Sequence, residues 1–125
     1  MPAPVVHFEI GCQNIEKTRR FYGDLFGWEY APGAPNMAMI GNLGPYAEKK
    51  SDGIGGHLNS LGHPPHNYVT VYVAVEDIEA TLAKAAKLGG ATIVPKQEVP
   101  GMGWFAWMKD VEGNCIGLWK AMSQA

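Results

Sequence analysis

The chain of 125 residues has no apolar run that approaches the ~20 residues needed to span a bilayer, and no basic leader followed by an apolar stretch. It also lacks charge of one sign: the formal net charge is −2. A nucleic-acid partner calls for a clear basic excess to displace counterions, so that class is set aside. The only basic doublets, Arg19-Arg20 and Lys49-Lys50, read as solvated surface. Cysteine is scarce, with Cys12 and Cys115 far apart and no C-x-x-C spacing. That excludes a disulfide framework and points to two free thiols in a reducing compartment. These absences together lead us to expect a soluble cytoplasmic protein with neither membrane nor nucleic acid as partner. Apolar residues make up 46% and charged residues 18%, which favours a packed core over disorder.

What the chain does contain is itself, twice. A shift of 63 positions brings Asn14-Ile15-Glu16 onto Asp77-Ile78-Glu79, Thr18 onto Thr81, Leu25 onto Leu88 and Gly27 onto Gly90. No gap is needed from Val5 through Tyr30. Each half opens with a β-branched and aromatic run of strand length, Val5 to Gly11 and Tyr68 to Val75. Asn14 and Asp77 then supply helix N-caps, and apolar residues recur at three- and four-residue spacing behind them. Gly27 and Gly89-Gly90 offer permissive backbone for the helix exits. Shorter strands are expected at 28–30, 37–40 and 54–59, then at 91–94, 104–108 and 114–119, with loops at 43–52 and 95–102. The segment Gly62-His63-Pro64-Pro65-His66 can continue neither a ladder nor a helix and reads as a linker, with His63 and His66 as exposed loop histidines. The expected organisation is α+β, one domain over 1–125: two tandem βαβββ modules at about 4–62 and about 68–121, with a linker at about 62–67.

The string Phe21-Tyr22-Gly23-Asp24-Leu25-Phe26-Gly27-Trp28-Glu29 resembles a signature of the vicinal oxygen chelate (VOC) superfamily, which includes glyoxalase I, bleomycin-resistance proteins and extradiol dioxygenases. Val75-Glu76-Asp77-Ile78, Leu88-Gly89-Gly90-Ala91 and the stretch from Lys109 to Trp119 are similar to its small glyoxalase-like branch. The resemblance covers nearly the whole chain. It implies the glyoxalase/bleomycin resistance/dihydroxybiphenyl dioxygenase fold, in which two βαβββ modules form a cup-shaped curved sheet around a small organic ligand. It also implies a homodimer. The fold supplies a site without naming its chemistry.

Metal-dependent members take ligands from the first and last strands of each module, and the resemblance places those positions on this chain. His7 is a candidate, but its repeat mate is Thr70, and the usual last-strand carboxylate falls on Gly117. His57 shares strand parity with the fourth position, and Glu9 lies on the same face as His7. His7, Glu9 and His57 are thus the candidate set for a divalent ion such as Ni²⁺, Zn²⁺, Mn²⁺ or Fe²⁺, in a metal site otherwise incomplete. Without a metal, His7 reads as a cup-lining histidine hydrogen-bonded to Glu9 or to a ligand.

Glu9, mid-strand between Phe8 and Ile10, faces either solvent or a cavity. In a cavity, desolvation would raise its pKa and suit it to proton abstraction next to a carbonyl; hydrogen bonding across the floor of the site is the alternative. Glu9 and His7 are the catalytic candidates. His57, Thr70, Tyr72, Cys115, Gly117 and Trp119 are the candidate ligand contacts, with Tyr72 either orienting a ligand or satisfying Glu9. Two functions fit: a lyase or isomerase acting on a small carbonyl or hydroxy compound, with ordinary glyoxalase I activity disfavoured, or a protein that sequesters a ligand without turnover. A partner protein that keeps the site only as a remnant is a third.

Overall fold

In a computed structural model the described residues are 2–45, 47 and 51–122. The Lys49-Lys50 doublet lies outside them. The chain divides into two compact units, one of His7–Thr70 and one that joins Met1–Val6 to Val71–Ala125. The first few residues therefore go with the second half: the Ala74 amide donates to the Pro4 carbonyl at 2.9 Å.

The His7–Thr70 unit contains most of β1 (Val5–Gly11), then α1 (Ile15–Phe26), β2 (Met37–Met39) and β3 (Gly55–Asn59). Asn14 caps α1 as its sequence suggests, accepting from the Lys17 amide at 3.0 Å. Gly27 ends the helix at φ 76°, a left-handed turn that favours glycine. β1 runs parallel to β3, and β2 pairs antiparallel with β3 on its other side. Ala38, Ile40, Leu58 and Cys12 are buried, whereas no residue of α1 is. Instead of a strand at 28–30 there is a single bridge from Tyr30 to Ile40. The turn through Gly27 and the Asn42 side chain, which bonds the Gly27 carbonyl and the Glu29 amide, take up the backbone groups a ladder would use.

The other unit runs β4 (Val69–Ala74, from Val71), α2 (Ile78–Lys87), β5 (Ala91–Val99), β6 (Gly103–Lys109) and β7 (Cys115–Ala121). Its strand order is β4, β7, β6, β5, with β4 parallel to β7 and the remaining pairs antiparallel. Ile78, the only buried residue of α2, joins Ala106 and Leu118 in the core, with Val73, Val75, Leu82, Trp104 and Met108 packed around them. β5 is longer than expected and continues through Pro95. It pairs on one side only, and its register with β6 shifts between Thr92 and Val94 and again between Val94 and Gln97. The missing proline donor is tolerated at such an irregular edge.

Candidate functional site

The alternation of β1 puts His7, Glu9 and Gly11 on one face and Phe8 and Ile10 on the other. Phe8 stands over Gly56, where any Cβ would meet its ring, and reaches Trp28 at 5.7 Å; Trp28 in turn stacks on Tyr22 of α1 at 5.0 Å. Aromatic packing thus holds one face of the β1 and β3 pair, and the opposite face carries the polar residues. The parallel register sets Glu9 beside His57 and Gly11 beside Asn59.

The result is a chain of polar contacts within the His7–Thr70 unit. Glu9 is 2% exposed. One of its oxygens lies 3.1 Å from Nε2 of buried His57. The other accepts from Asn59 Nδ2 at 3.2 Å and from the Tyr68 hydroxyl. His57 Nδ1 then meets His7 Nε2 at 2.7 Å. An ionised Glu9 only accepts, and in that form the His57 Nε2 proton lies in the bond with Glu9. With His57 neutral, its Nδ1 is the acceptor and His7 Nε2–H the donor. Burial, reinforced by the neighbouring His57, lowers the pKa of half-buried His7 to about 4, with Glu9 acting weakly in the opposite direction. His7 is therefore neutral at pH 7.

The structure brings His7, Glu9 and His57 together, as strand parity suggests. It adds Asn59 and Tyr68, which the sequence reading missed. Asn59 carried a signal, since it lies two residues beyond His57 on the same strand face. Tyr68 carried an indirect one: Gly11 is an isolated glycine in a strand, a mark of close approach. A Cβ at residue 11 would overlap the Tyr68 ring.

The family resemblance implies a divalent ion, and the arrangement of these side chains bears on it directly. His57 turns both ring nitrogens to His7 and Glu9, leaving no convergent donor set. Among the described residues no three His, Cys, Asp or Glu side chains are placed to hold a metal ion. As arranged, these residues do not fit a resident metal.

Thr70, the last residue of this unit, is buried. The remaining candidates lie in the other unit. Tyr72 pairs with Gly117 in the parallel register, and its ring occupies the space a Gly117 side chain would need. Trp107 Nε1 donates to the Tyr72 hydroxyl at 2.8 Å, another contact absent from the sequence reading. Trp119 is half-buried and packs close to Gly103, while Cys115 is half-buried and not in a disulfide. Glycine at 117 has a steric reason here, independent of any lost ligand.

A family model described as a glyoxalase-like domain matches residues 6–118. CFP32 of Mycobacterium tuberculosis is 28% identical over 107 residues, covering 82% of this chain and 40% of that protein. The anthracycline biosynthesis protein DnrV of Streptomyces peucetius is 26% identical, covering 95% of this chain and 47% of its own length. The chain thus spans less than half the length of these two curated relatives. Among solved structures, the methylmalonyl-CoA epimerase of Streptomyces coelicolor superposes with a TM-score of 0.63 at 18% identity, covering 98% of this chain and 97% of that one. At that identity the likeness establishes the fold.

Proposed function

The chain belongs to the glyoxalase-like domain family of the VOC superfamily, and from that premise we propose that it moves a proton at a carbon next to a carbonyl in a small organic ligand. The observation that carries this reading is the hydrogen-bonded chain from buried Glu9 through His57 to half-buried His7. His7 is neutral at pH 7, the form that accepts a proton. As His7 takes the proton from carbon, its Nε2–H bond to His57 tightens, and the His57 bond to Glu9 spreads the new positive charge onto a carboxylate. Returning the proton to the same or a neighbouring carbon completes an isomerisation or epimerisation; loss of a leaving group from the carbanion completes a lyase reaction. Glu9, its oxygens already engaged, acts through His57 rather than on the ligand. The epimerase activity named for the solved neighbour is chemistry of this class, and it supports the reading without supplying a substrate.

The test is solvent deuterium exchange, followed by NMR, across small 2-oxo acids, hydroxy ketones and acyl thioesters. Exchange into at least one compound is expected, reduced about 100-fold or more in His7→Asn and Glu9→Gln. A compound that raises the melting temperature yet never exchanges would replace this reading with ligand sequestration. That second reading has one observation in its favour: Glu9 directs its oxygens to Asn59, Tyr68 and His57.

The protein is also read as a cytoplasmic homodimer. Cys12 and Cys115 without a disulfide fit a reducing compartment, and among the described residues no helix is long and apolar enough to cross a membrane. On α1, Phe21 and Leu25 are each 59% exposed, with Arg20 and Asp24 alongside them. Antiparallel pairing of two such helices about a twofold axis would bring each Arg20 to the other copy's Asp24. Leu25→Asp should shift light-scattering mass from dimer to monomer; a monomeric parent protein would refute the pairing.

A further inference from the structure

We propose that Tyr68 is a positioning residue that sets the proton arrangement of the two histidines, and that glycine at 11 is the opening that lets it reach the site. The kinetic consequence rests on the proton-transfer reading above; the proton arrangement does not.

Tyr68 stands just before β4, outside the strands that carry Glu9 and His57. Its backbone is tied to β1, since the Gly11 amide donates to the Tyr68 carbonyl at 2.8 Å. From that anchor the ring passes over Gly11, and a Cβ at residue 11 would overlap it along one edge. The hydroxyl then donates to Glu9 Oε2, the oxygen that also accepts from Asn59 Nδ2 at 3.2 Å. Two donors on Oε2 fix the rotation of the carboxylate and turn Oε1 toward His57 Nε2. A carboxylate at that position requires a proton on His57 Nε2, which in neutral His57 leaves Nδ1 as an acceptor for His7 Nε2–H. The placement of protons on both imidazoles is thus decided at the far end of the chain, by a hydroxyl that acts through the Glu9 carboxylate. With the hydroxyl gone, Oε2 loses a donor while keeping Asn59, and Glu9 gains freedom to rotate away from His57.

Nitrogen-15 long-range NMR spectra of the histidine rings test this in Tyr68→Phe, which keeps the ring over Gly11 and removes only the donor. In the parent protein His57 and His7 should both show the neutral Nε2–H tautomer, with a slowly exchanging His57 Nε2 proton. In Tyr68→Phe that proton should exchange at least about tenfold faster, and His57 should become a mixture of tautomers. The deuterium-exchange kcat should fall about tenfold or more while KM stays within about threefold, as expected of a residue that acts through Glu9. Gly11→Ala, which pushes the ring aside, should give the same histidine spectrum. An unchanged His57 tautomer and proton lifetime in Tyr68→Phe overturns the proposal. If no compound exchanges in the parent protein, the proton-transfer reading falls, and the NMR result still decides the role of Tyr68.

Discussion

The two halves of the chain share matched residues at a 63-position offset and the order strand, helix, strands, yet they use one structural position in opposite ways. In each, residues matched by the 63-position offset on the first strand pair in parallel register with a residue of the last strand: Glu9 with His57, and Tyr72 with Gly117. The first pair holds two ionisable side chains in contact, both buried. The second holds an aromatic ring over a bare backbone, fixed by an indole donor from Trp107. One scaffold position thus serves proton placement in one half and shape in the other. The helices differ as well: α2 anchors itself with buried Ile78, while α1 buries nothing and relies on an aromatic stack running to Phe8.

The largest expected effect concerns acid. An unfolded histidine has a pKa near 6.5, and folded His7 titrates at about 4, so between those values the unfolded state binds more protons. The contribution of His7 to stability is therefore complete above about pH 6.5 and is lost as the pH falls toward 4, amounting to up to about 3 kcal/mol. Urea melts across that window should show the slope, and His7→Asn should flatten it.

Next comes the shape-bearing pair. Gly117→Ala drives a methyl into the Tyr72 ring and should cost about 2 kcal/mol, with a change in tryptophan emission from displaced Trp107. A neutral outcome would mean that Tyr72 moves aside easily and that glycine there has no steric role. Tyr72→Phe removes the acceptor of the Trp107 indole and should cost about 1 kcal/mol in the same melts. The smallest effect falls on the caps. Asn14→Ala and Asp77→Ala should each cost about 0.5–1 kcal/mol, because both caps accept one amide in the first helical turn.

Where physics is local, the sequence was legible. β1 occupies the expected residues, and both helices begin behind the expected caps. Strand alternation was enough to place His7, Glu9 and His57 on matching faces. Less legible was whatever depends on a partner strand. β5 continues through Pro95 because only one of its edges is paired, and both of its faces are largely exposed, so it carries no apolar period. Tyr68 reaches Glu9 from outside the strands, a contact that no periodicity encodes, and only the glycine at 11 hinted at it. The metal expectation came from family resemblance, and residue types alone could not reveal that His57 turns both nitrogens to its neighbours.

The central claim is that the side chains from Glu9 through His57 to His7 are themselves the chemical centre. It is tested most directly by measuring the deuterium-exchange rate and the metal content on the same sample, before and after exhaustive chelation. A rate unchanged within about twofold and no stoichiometric metal in either sample are expected. Loss of exchange on chelation, restored by one equivalent of a divalent ion, would contradict it.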